Sequence, residues 1–119
     1  FDYQDKKTIS SVIFNRLDKN KKLEIDATVI YAITKGLYIL QRDLRYNDLK
    51  IKDPFNTYVI NGLPPEPISY VGRKTIELIM KNYKTNYLFY FYDESKKKHI
   101  FSENYKEHSK KLDDYRRNK

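Results

Sequence analysis

The chain has 119 residues, a formal net charge of +8 at pH 7 and no cysteine. This length predicts a single domain, 1–119, around one hydrophobic core. The lack of cysteine excludes disulfides, thiol nucleophiles and cysteine-based metal sites, and no apolar run approaches the ~20 residues of a membrane span. The basic excess favours an anionic partner. Because the sequence starts at Phe1 rather than Met, we expect it to be a piece of a longer protein.

The first predicted helix begins near Thr8. Its apolar positions recur at helical spacing, namely Ile9, Val12, Ile13 and Leu17. Asn20 suits the left-handed conformation that often ends a helix. Asn15 and Arg16 flank the apolar stripe, where they either face solvent or line a cleft.

Residues 23–26 alternate apolar and acidic side chains, which predicts a short extended segment. Asp26 is a good N-cap for a short helix over residues 27–35, which Gly36 would stop. Glu24 and Asp26 would share one side of the extended segment, so paired-carboxylate acid–base chemistry is conceivable there. A capping role is the stronger interpretation of Asp26.

The stretch from Asp53 to Gly72 is predicted to be a shaped loop, because its prolines exclude helix: Pro54, Pro64, Pro65 and Pro67. Its first half predicts a short strand or extended arm with one wet face, formed by Asn56, Thr57, Tyr58 and Asn61. Gly62 suits a positive φ. The loop is either a binding wall or a structural turn between two halves of the domain.

Three further elements are predicted on either side of this loop. Residues 37–40 form a β-compatible apolar run, and residues 46–51 could form one helical turn. After the loop, apolar residues at helical spacing predict a helix from Gly72 to about Asn82.

The last third of the chain predicts a hairpin followed by a helix. Residues 87–92 are the most β-prone run and can pair with residues 98–101. Ser102 would cap the final helix, whose inner face is formed by Tyr105, His108, Leu112 and Tyr115. The predicted fold class is therefore α+β, with several short helices packed on a small antiparallel hairpin at about residues 86–101 and a closing C-terminal helix.

Several common kinds of site are missing from the sequence. It contains no P-loop, no G-x-S-x-G turn and no H-E-x-x-H pair. His99 and His108 lack the spacing of metal ligands, so no metal site is expected and structural hydrogen bonding is their predicted role. A nucleic-acid partner is not expected, since the charges are mixed and the aromatic residues fall on core-like stripes.

Spaced motifs nevertheless carry a family resemblance. They are residues 9–17 (ISSVIFNRL), 23–32 (LEIDATVIYA), 53–68 (DPFNTYVINGLPPEPI), 84–91 (KTNYLFYF) and 99–116. In this order they resemble the catalytic domain of the YceG-like (MltG) family of endolytic murein transglycosylases, over essentially the whole chain. Glu24 departs from the family pattern, which has glutamine there, and Glu66 stands where glycine is usual. Residues 70–72, Tyr-Val-Gly, replace Asn-Pro-Gly.

The resemblance implies a bacterial lyase that cuts the MurNAc–GlcNAc β-1,4 bond within peptidoglycan strands and leaves 1,6-anhydroMurNAc ends. The family's catalytic glutamate lies directly before the position of Phe1, so the catalytic residue is expected outside this sequence and the chain alone is expected to be inactive. The substrate-binding residues implied by motif position are Asn15, Arg16, Glu24, Asp26, Tyr31, Asn56, Tyr58, Gly62, Pro64 and Pro65.

The resemblance also implies a setting. No cofactor is implied, and the partners are peptidoglycan glycan strands and proteins of cell-wall synthesis. In the family a membrane anchor and a LysM-like domain precede this region, which places it on the outer side of the cytoplasmic membrane. Three alternatives stay open: a non-catalytic glycan-binding fragment and, less favoured, a nucleic-acid-binding domain or an aminodeoxychorismate-lyase-type enzyme, which would need a larger cofactor fold.

Overall fold

The computed structural model describes residues 3–37, 39–69 and 71–118. These residues form four α-helices, one 3-10 helix and one antiparallel hairpin, which confirms the predicted α+β class. The chain divides into two compact units: the first comprises Phe1–Asn15 and Val71–Lys119, and the second comprises Arg16–Tyr70. None of the helices within the described residues combines the length and the apolar character needed to cross a bilayer.

Helix α1 spans Tyr3–Asp18 and begins earlier than the apolar periodicity predicted. Its first turn is polar, but Asp5 in that turn accepts a hydrogen bond from the backbone N–H of His99 at 2.9 Å. The ring Nδ1 of His99 lies 2.8 Å from the same carboxylate oxygen, so the structural role predicted for this histidine is confirmed. Val12 of the predicted stripe is buried, and Asn20 follows the helix at a φ of 55°.

Helix α2 spans Asp26–Thr34, one residue earlier than predicted. Ile25 occupies the N-cap position, so the prediction that Asp26 caps the helix is wrong. Asp26 is the first helical residue, and its carboxylate accepts a hydrogen bond from Tyr58 instead. The chain leaves the helix through Gly36 at a φ of 89°, close to the predicted stop.

The extended segment predicted at residues 23–26 is not a strand. Glu24 has a φ of 52°, in the left-handed region, and Asp26 is already helical. The two carboxylates therefore do not share one face of a strand, which removes the basis for a paired-carboxylate site. Leu23 and Val29 are buried in the core of the second unit, which explains the apolar positions of the pattern.

The run at residues 37–40 forms no strand in its described part, where Leu37 and Ile39 are exposed. Tyr38 lies outside the described residues. A β-prone run needs a neighbouring strand to complete its hydrogen bonds, and apolar composition alone does not provide one. The single helical turn predicted next is confirmed as a 3-10 helix, Tyr46–Lys50.

The first half of the proline-rich loop is built from consecutive turns, so the predicted strand or extended arm is wrong. The backbone N–H groups of Val59 and Ile60 both donate to the carbonyl of Asn56, at 3.1 Å each. The predicted wet face is also wrong for Asn56 and Thr57, which are both 0% exposed. Gly62 has the predicted positive φ, 78°.

In the first unit, helix α3 spans Arg73–Met80 with Gly72 at its N-cap, as predicted. Strand β1, Phe89–Asp93, pairs antiparallel with strand β2, Lys98–Ser102, so that Phe89 lies opposite Ser102. The predicted hairpin is therefore confirmed, with slightly shifted bounds.

Helix α4 spans Tyr105–Arg117 and closes the first unit. Its cap is Asn104, whose side chain accepts a hydrogen bond from the backbone N–H of Glu107, so the predicted cap Ser102 is wrong. Ser102 is a buried residue of β2 and cannot reach the helix start. The predicted inner face is confirmed for His108, whose ring stacks on Phe89 with centroids 5.1 Å apart, but it is wrong for Tyr105, which is 68% exposed.

Candidate functional site

The base of the candidate site is a pair of buried threonines in the second unit. The hydroxyl oxygens of Thr28 and Thr57 are 2.8 Å apart and share a hydrogen bond. The backbone N–H of Ile25 donates to the Thr57 hydroxyl at 2.8 Å, and the backbone N–H of Glu24 donates to the Thr57 carbonyl at 3.2 Å. These bonds fasten the start of α2 to the proline-rich loop, so residues distant in sequence are brought to one place.

Asn56 supports the same loop from inside. Its Nδ2 donates to the carbonyls of Ile51 at 2.8 Å and Leu49 at 3.1 Å. Its Oδ1 accepts from the backbone N–H of Tyr58 at 2.9 Å. We therefore place Asn56 beneath the candidate surface, where it orients the loop, because an amide that is 0% exposed has no face toward a ligand.

A hydrogen bond joins Asp26 and Tyr58 on this surface. The Tyr58 hydroxyl donates to Asp26 Oδ1 at 2.5 Å. Burial raises the pKa of the Tyr58 phenol, and the hydrogen bond and negative charge of Asp26 raise it further. Tyr58 therefore stays a neutral hydrogen-bond donor, while the exposed Asp26 carboxylate keeps acceptor capacity toward solvent.

Arg16 and Glu24 complete this group. Arg16 is nearly buried at the end of α1, and its Nη1 donates to the Lys22 carbonyl at 2.7 Å. The same nitrogen lies 3.4 Å from Glu24 Oε2, while the Glu24 side chain is 46% exposed. Among weaker influences on the Tyr58 pKa, the Glu24 charge raises it and the Arg16 charge lowers it. We call Arg16, Glu24, Asp26 and Tyr58 the acid–tyrosine cluster.

Tyr31 forms an aromatic wall on α2. Its ring is tilted against Phe55, with centroids 4.8 Å apart, so it ties the helix to the start of the loop. A Cβ atom at Gly36 would lie 3.4 Å from this ring, which is ordinary contact distance. Tyr31 is half-buried, so part of its surface faces solvent.

The tip of the loop projects outward. No atom lies within 4 Å of the position that a Cβ would take at Gly62, and the neighbouring Leu63 is 65% exposed. Pro64 is half-buried and Pro65 is exposed. The proline rings restrict the backbone of this tip, so it offers a stiff ridge.

Asn15 lies in the first unit, where its Nδ2 donates to the carbonyls of Thr85 and Tyr87, at 2.8 Å each. It therefore braces the approach to β1, and its amide nitrogen is already engaged. The other implied site residues all belong to the second unit.

The supporting role of Thr28 and Thr57 was not predicted from the sequence. Thr28 lies within one of the family motifs, and Thr57 was predicted to lie on a wet face, yet both side chains are buried and hydrogen-bonded to each other. Two threonines that lie 29 residues apart in the sequence carry no local signal for such a contact. Among the described residues, no group of three or more His, Asp and Glu side chains is placed to hold a metal ion.

Comparison with known proteins identifies the family. The model of the YceG-like family matches residues 2–114. A Bacillus subtilis protein named endolytic murein transglycosylase is 39% identical over 93% of this chain and 29% of its own length. A Streptococcus pneumoniae protein of the same name is 27% identical over 92% of this chain and 20% of its own length. The chain therefore spans less than a third of these curated relatives.

A solved structure agrees with the sequence comparisons. The crystal structure of a YceG-like protein from Listeria monocytogenes matches with a TM-score of 0.79 and 39% identity, over 89% of this chain and 33% of that chain. These matches confirm the resemblance carried by the motifs. Because the family model covers nearly the whole sequence, the chain belongs to the YceG-like family.

Proposed function

We propose that this chain forms the glycan-binding part of a lytic murein transglycosylase that cleaves peptidoglycan within its strands. The observation that carries the proposal is the acid–tyrosine cluster, held on a hydrogen-bonded base, in a chain whose relatives are named endolytic murein transglycosylases. Carboxylates, a phenol and aromatic rings are the groups that bind sugar hydroxyls and sugar faces.

Within this proposal each residue of the cluster has a distinct role. Asp26 accepts a hydrogen bond from a sugar hydroxyl, while the phenol of Tyr58 orients its carboxylate. The carboxylate of Glu24 is a second exposed acceptor, and its ion pair with Arg16 orients it. Tyr31 offers a half-buried ring, and the ridge at Gly62, Pro64 and Pro65 confines the strand.

The proposed reaction needs one carboxyl group, expected N-terminal to Phe1 from the family resemblance. This acid donates its proton to the glycosidic oxygen as the bond between that oxygen and C1 of MurNAc breaks. The resulting carboxylate then takes the proton of the sugar's own 6-hydroxyl, whose oxygen bonds to C1 and gives the 1,6-anhydro ring. The acid is regenerated and no water is consumed. Neither Glu24 nor Asp26 is required as the acid.

The setting follows from the same proposal. Its substrate lies in the cell wall, so we place the cleft on the outer side of the cytoplasmic membrane, near proteins of wall synthesis. The basic excess of +8 suits the anionic surroundings of such a wall.

The test uses the chain extended upstream through the segment that is expected to hold the catalytic glutamate. Purified peptidoglycan is digested, and the products are identified by mass. Anhydro ends from within long strands, lost when the upstream glutamate becomes glutamine, are expected. Reducing ends would indicate a hydrolase, and no cleavage would favour a glycan-binding protein.

Variants of the extended chain test the cluster itself. Asp26→Asn keeps one oxygen as an acceptor but removes the negative charge, and a hydrogen bond to a charged group is worth about 1–1.5 kcal/mol more than one to a neutral group. We therefore expect kcat/KM to fall about 5- to 10-fold. The matched control Asp43→Asn changes another exposed aspartate and should leave the rate unchanged. Equal rates for the two variants would refute the role of Asp26.

A further inference from the structure

The first unit contains a groove that the proposed cleft does not use. It has a volume of about 320 Å³ and lies between the turn end of the β1–β2 hairpin and the last turns of α4. This volume falls at the lower end of the ~300–1,000 Å³ typical of small-molecule sites. All of its lining residues belong to the first unit, so its shape depends on that unit alone.

Two aromatic rings form the floor of this groove. Phe91 of β1 and Tyr115 of α4 lie with their ring centroids 5.5 Å apart and their planes tilted by 44°. Both residues are half-buried, so each ring keeps part of its surface toward the groove. Because their planes are tilted, one of the two rings can stack on the face of a ligand ring while the other contacts its edge.

The rim is polar and its charges balance. Lys96 and Lys111 contribute two positive charges, while Asp93 and Asp114 contribute two negative charges, so the formal sum is zero. Asp93 is buried and already accepts hydrogen bonds from the hydroxyl of Ser95 and the backbone N–H of Lys96. The formal charge of the lining residues therefore does not by itself favour an anion.

The rim is also preorganised. The Lys111 ammonium donates to the carbonyl of Phe101 at 2.7 Å, which leaves further N–H groups on the same nitrogen. Asn118 donates to the backbone carbonyl of Asp114 at 2.9 Å, so its amide is oriented at the helix end. Donors and acceptors held around an aromatic floor match a ligand with one apolar face and a ring of hydroxyls.

We propose that this groove is an accessory glycan-binding site that holds one neutral pyranose ring over Phe91 and Tyr115. The ring's hydroxyls bond to Lys111, Asp114 and Asn118 at the rim. The site requires no cleavage and makes no use of the acid–tyrosine cluster. Only the choice of an N-acetylglucosamine probe rests on the proposed function, because murein strands contain that sugar.

The site is tested by titrating the chain with the β-1,4-linked trimer of N-acetylglucosamine. Binding is observed in NMR spectra that correlate each amide nitrogen with its proton. We expect shifts in residues 93–96 and 111–118. Tyr115→Leu should weaken binding about 3- to 10-fold by removing an aromatic platform, while Tyr115→Phe should retain it. Tyr105→Leu is the matched control, because Tyr105 lies about 15 Å along the same helix and outside the groove.

A second variant covers the case in which Tyr115→Leu disturbs packing. Asp114→Ala removes an exposed rim carboxylate while the backbone carbonyl remains, so it should weaken binding with an otherwise unchanged spectrum. Absence of shifts at tens of millimolar, shifts confined to the acid–tyrosine cluster, or equal binding by Asp114→Ala would each overturn the proposal. If pyrophosphate shifts the amide signals of the groove residues and the trimer does not, the groove is an anion site and the proposal is also overturned. Failure of peptidoglycan cleavage leaves this result untouched, since the titration measures binding alone.

Discussion

Replacing Asn56 with alanine should strongly destabilise the second unit. The side chain is 0% exposed, and it makes three hydrogen bonds to backbone groups of Leu49, Ile51 and Tyr58. Alanine would leave two carbonyls and one N–H without these partners in a buried place. At about 1 kcal/mol of net stabilisation for each bond, the free energy of unfolding should fall by about 3 kcal/mol.

Urea unfolding followed by circular dichroism measures this loss. With an m-value of roughly 1.5–2 kcal/mol/M, the midpoint should fall by about 1.5–2 M. Hydrogen exchange of peptides covering residues 49–60 localises the effect, because compact units can open separately. Asn61→Ala is the matched control, since this exposed amide meets Lys22 at 3.3 Å and its loss should cost under about 0.5 kcal/mol. A midpoint for Asn56→Ala equal to that of the control would refute the reasoning.

Three further predictions address the backbone, an ion pair and the phenol. Gly62→Ala should cost about 1 kcal/mol in the urea assay because φ is 78°, whereas Gly72→Ala, with an open position and φ of −69°, should not; equal midpoints would contradict this. The hydrogen bond from Arg42 lowers the pKa of Asp48 to about 2, so the stabilisation from the pair is present above the unfolded pKa of about 4 and is lost as pH falls towards 2. Arg42→Ala should therefore lower the urea midpoint at pH 6, with the difference from wild type closing between about pH 4 and 2; a constant difference would argue against the pair. Because burial and Asp26 raise the pKa of Tyr58, Tyr58→Phe should leave the ultraviolet phenolate signal near pH 11 unchanged; a drop by one tyrosine would contradict the burial.

Elements set by local spacing could be predicted from the sequence. The apolar stripe of α1 and the β-prone run of the hairpin both appear where the periodicity indicated. The first turn of α1 could not be predicted, because Asp5 is anchored by His99, 94 residues away. Local pattern carries no information about such a distant partner.

Only part of the candidate site could be predicted from the sequence. The motif resemblance selected Asp26 and Tyr58, which the fold places in direct contact. The alternation around Asn56 and Thr57 suggested a wet face, because polar side chains that face water and those that bond to backbone groups produce the same pattern. The two cases are distinguished only by where residues 25–28 and 49–51 lie in space. The tertiary structure sets those positions, and the local sequence does not reveal them.

The threonine pair beneath the cluster has a consequence for how this surface can change during evolution. Besides the threonine hydroxyls, a backbone hydrogen bond holds residue 24 in place. It runs from the N–H of Glu24 to the carbonyl of Thr57 and does not involve the side chain at position 24. An exposed side chain on such a fixed base can be exchanged between acid and amide with little cost to folding. The side chain at position 24 can therefore change while the backbone that positions it stays constant.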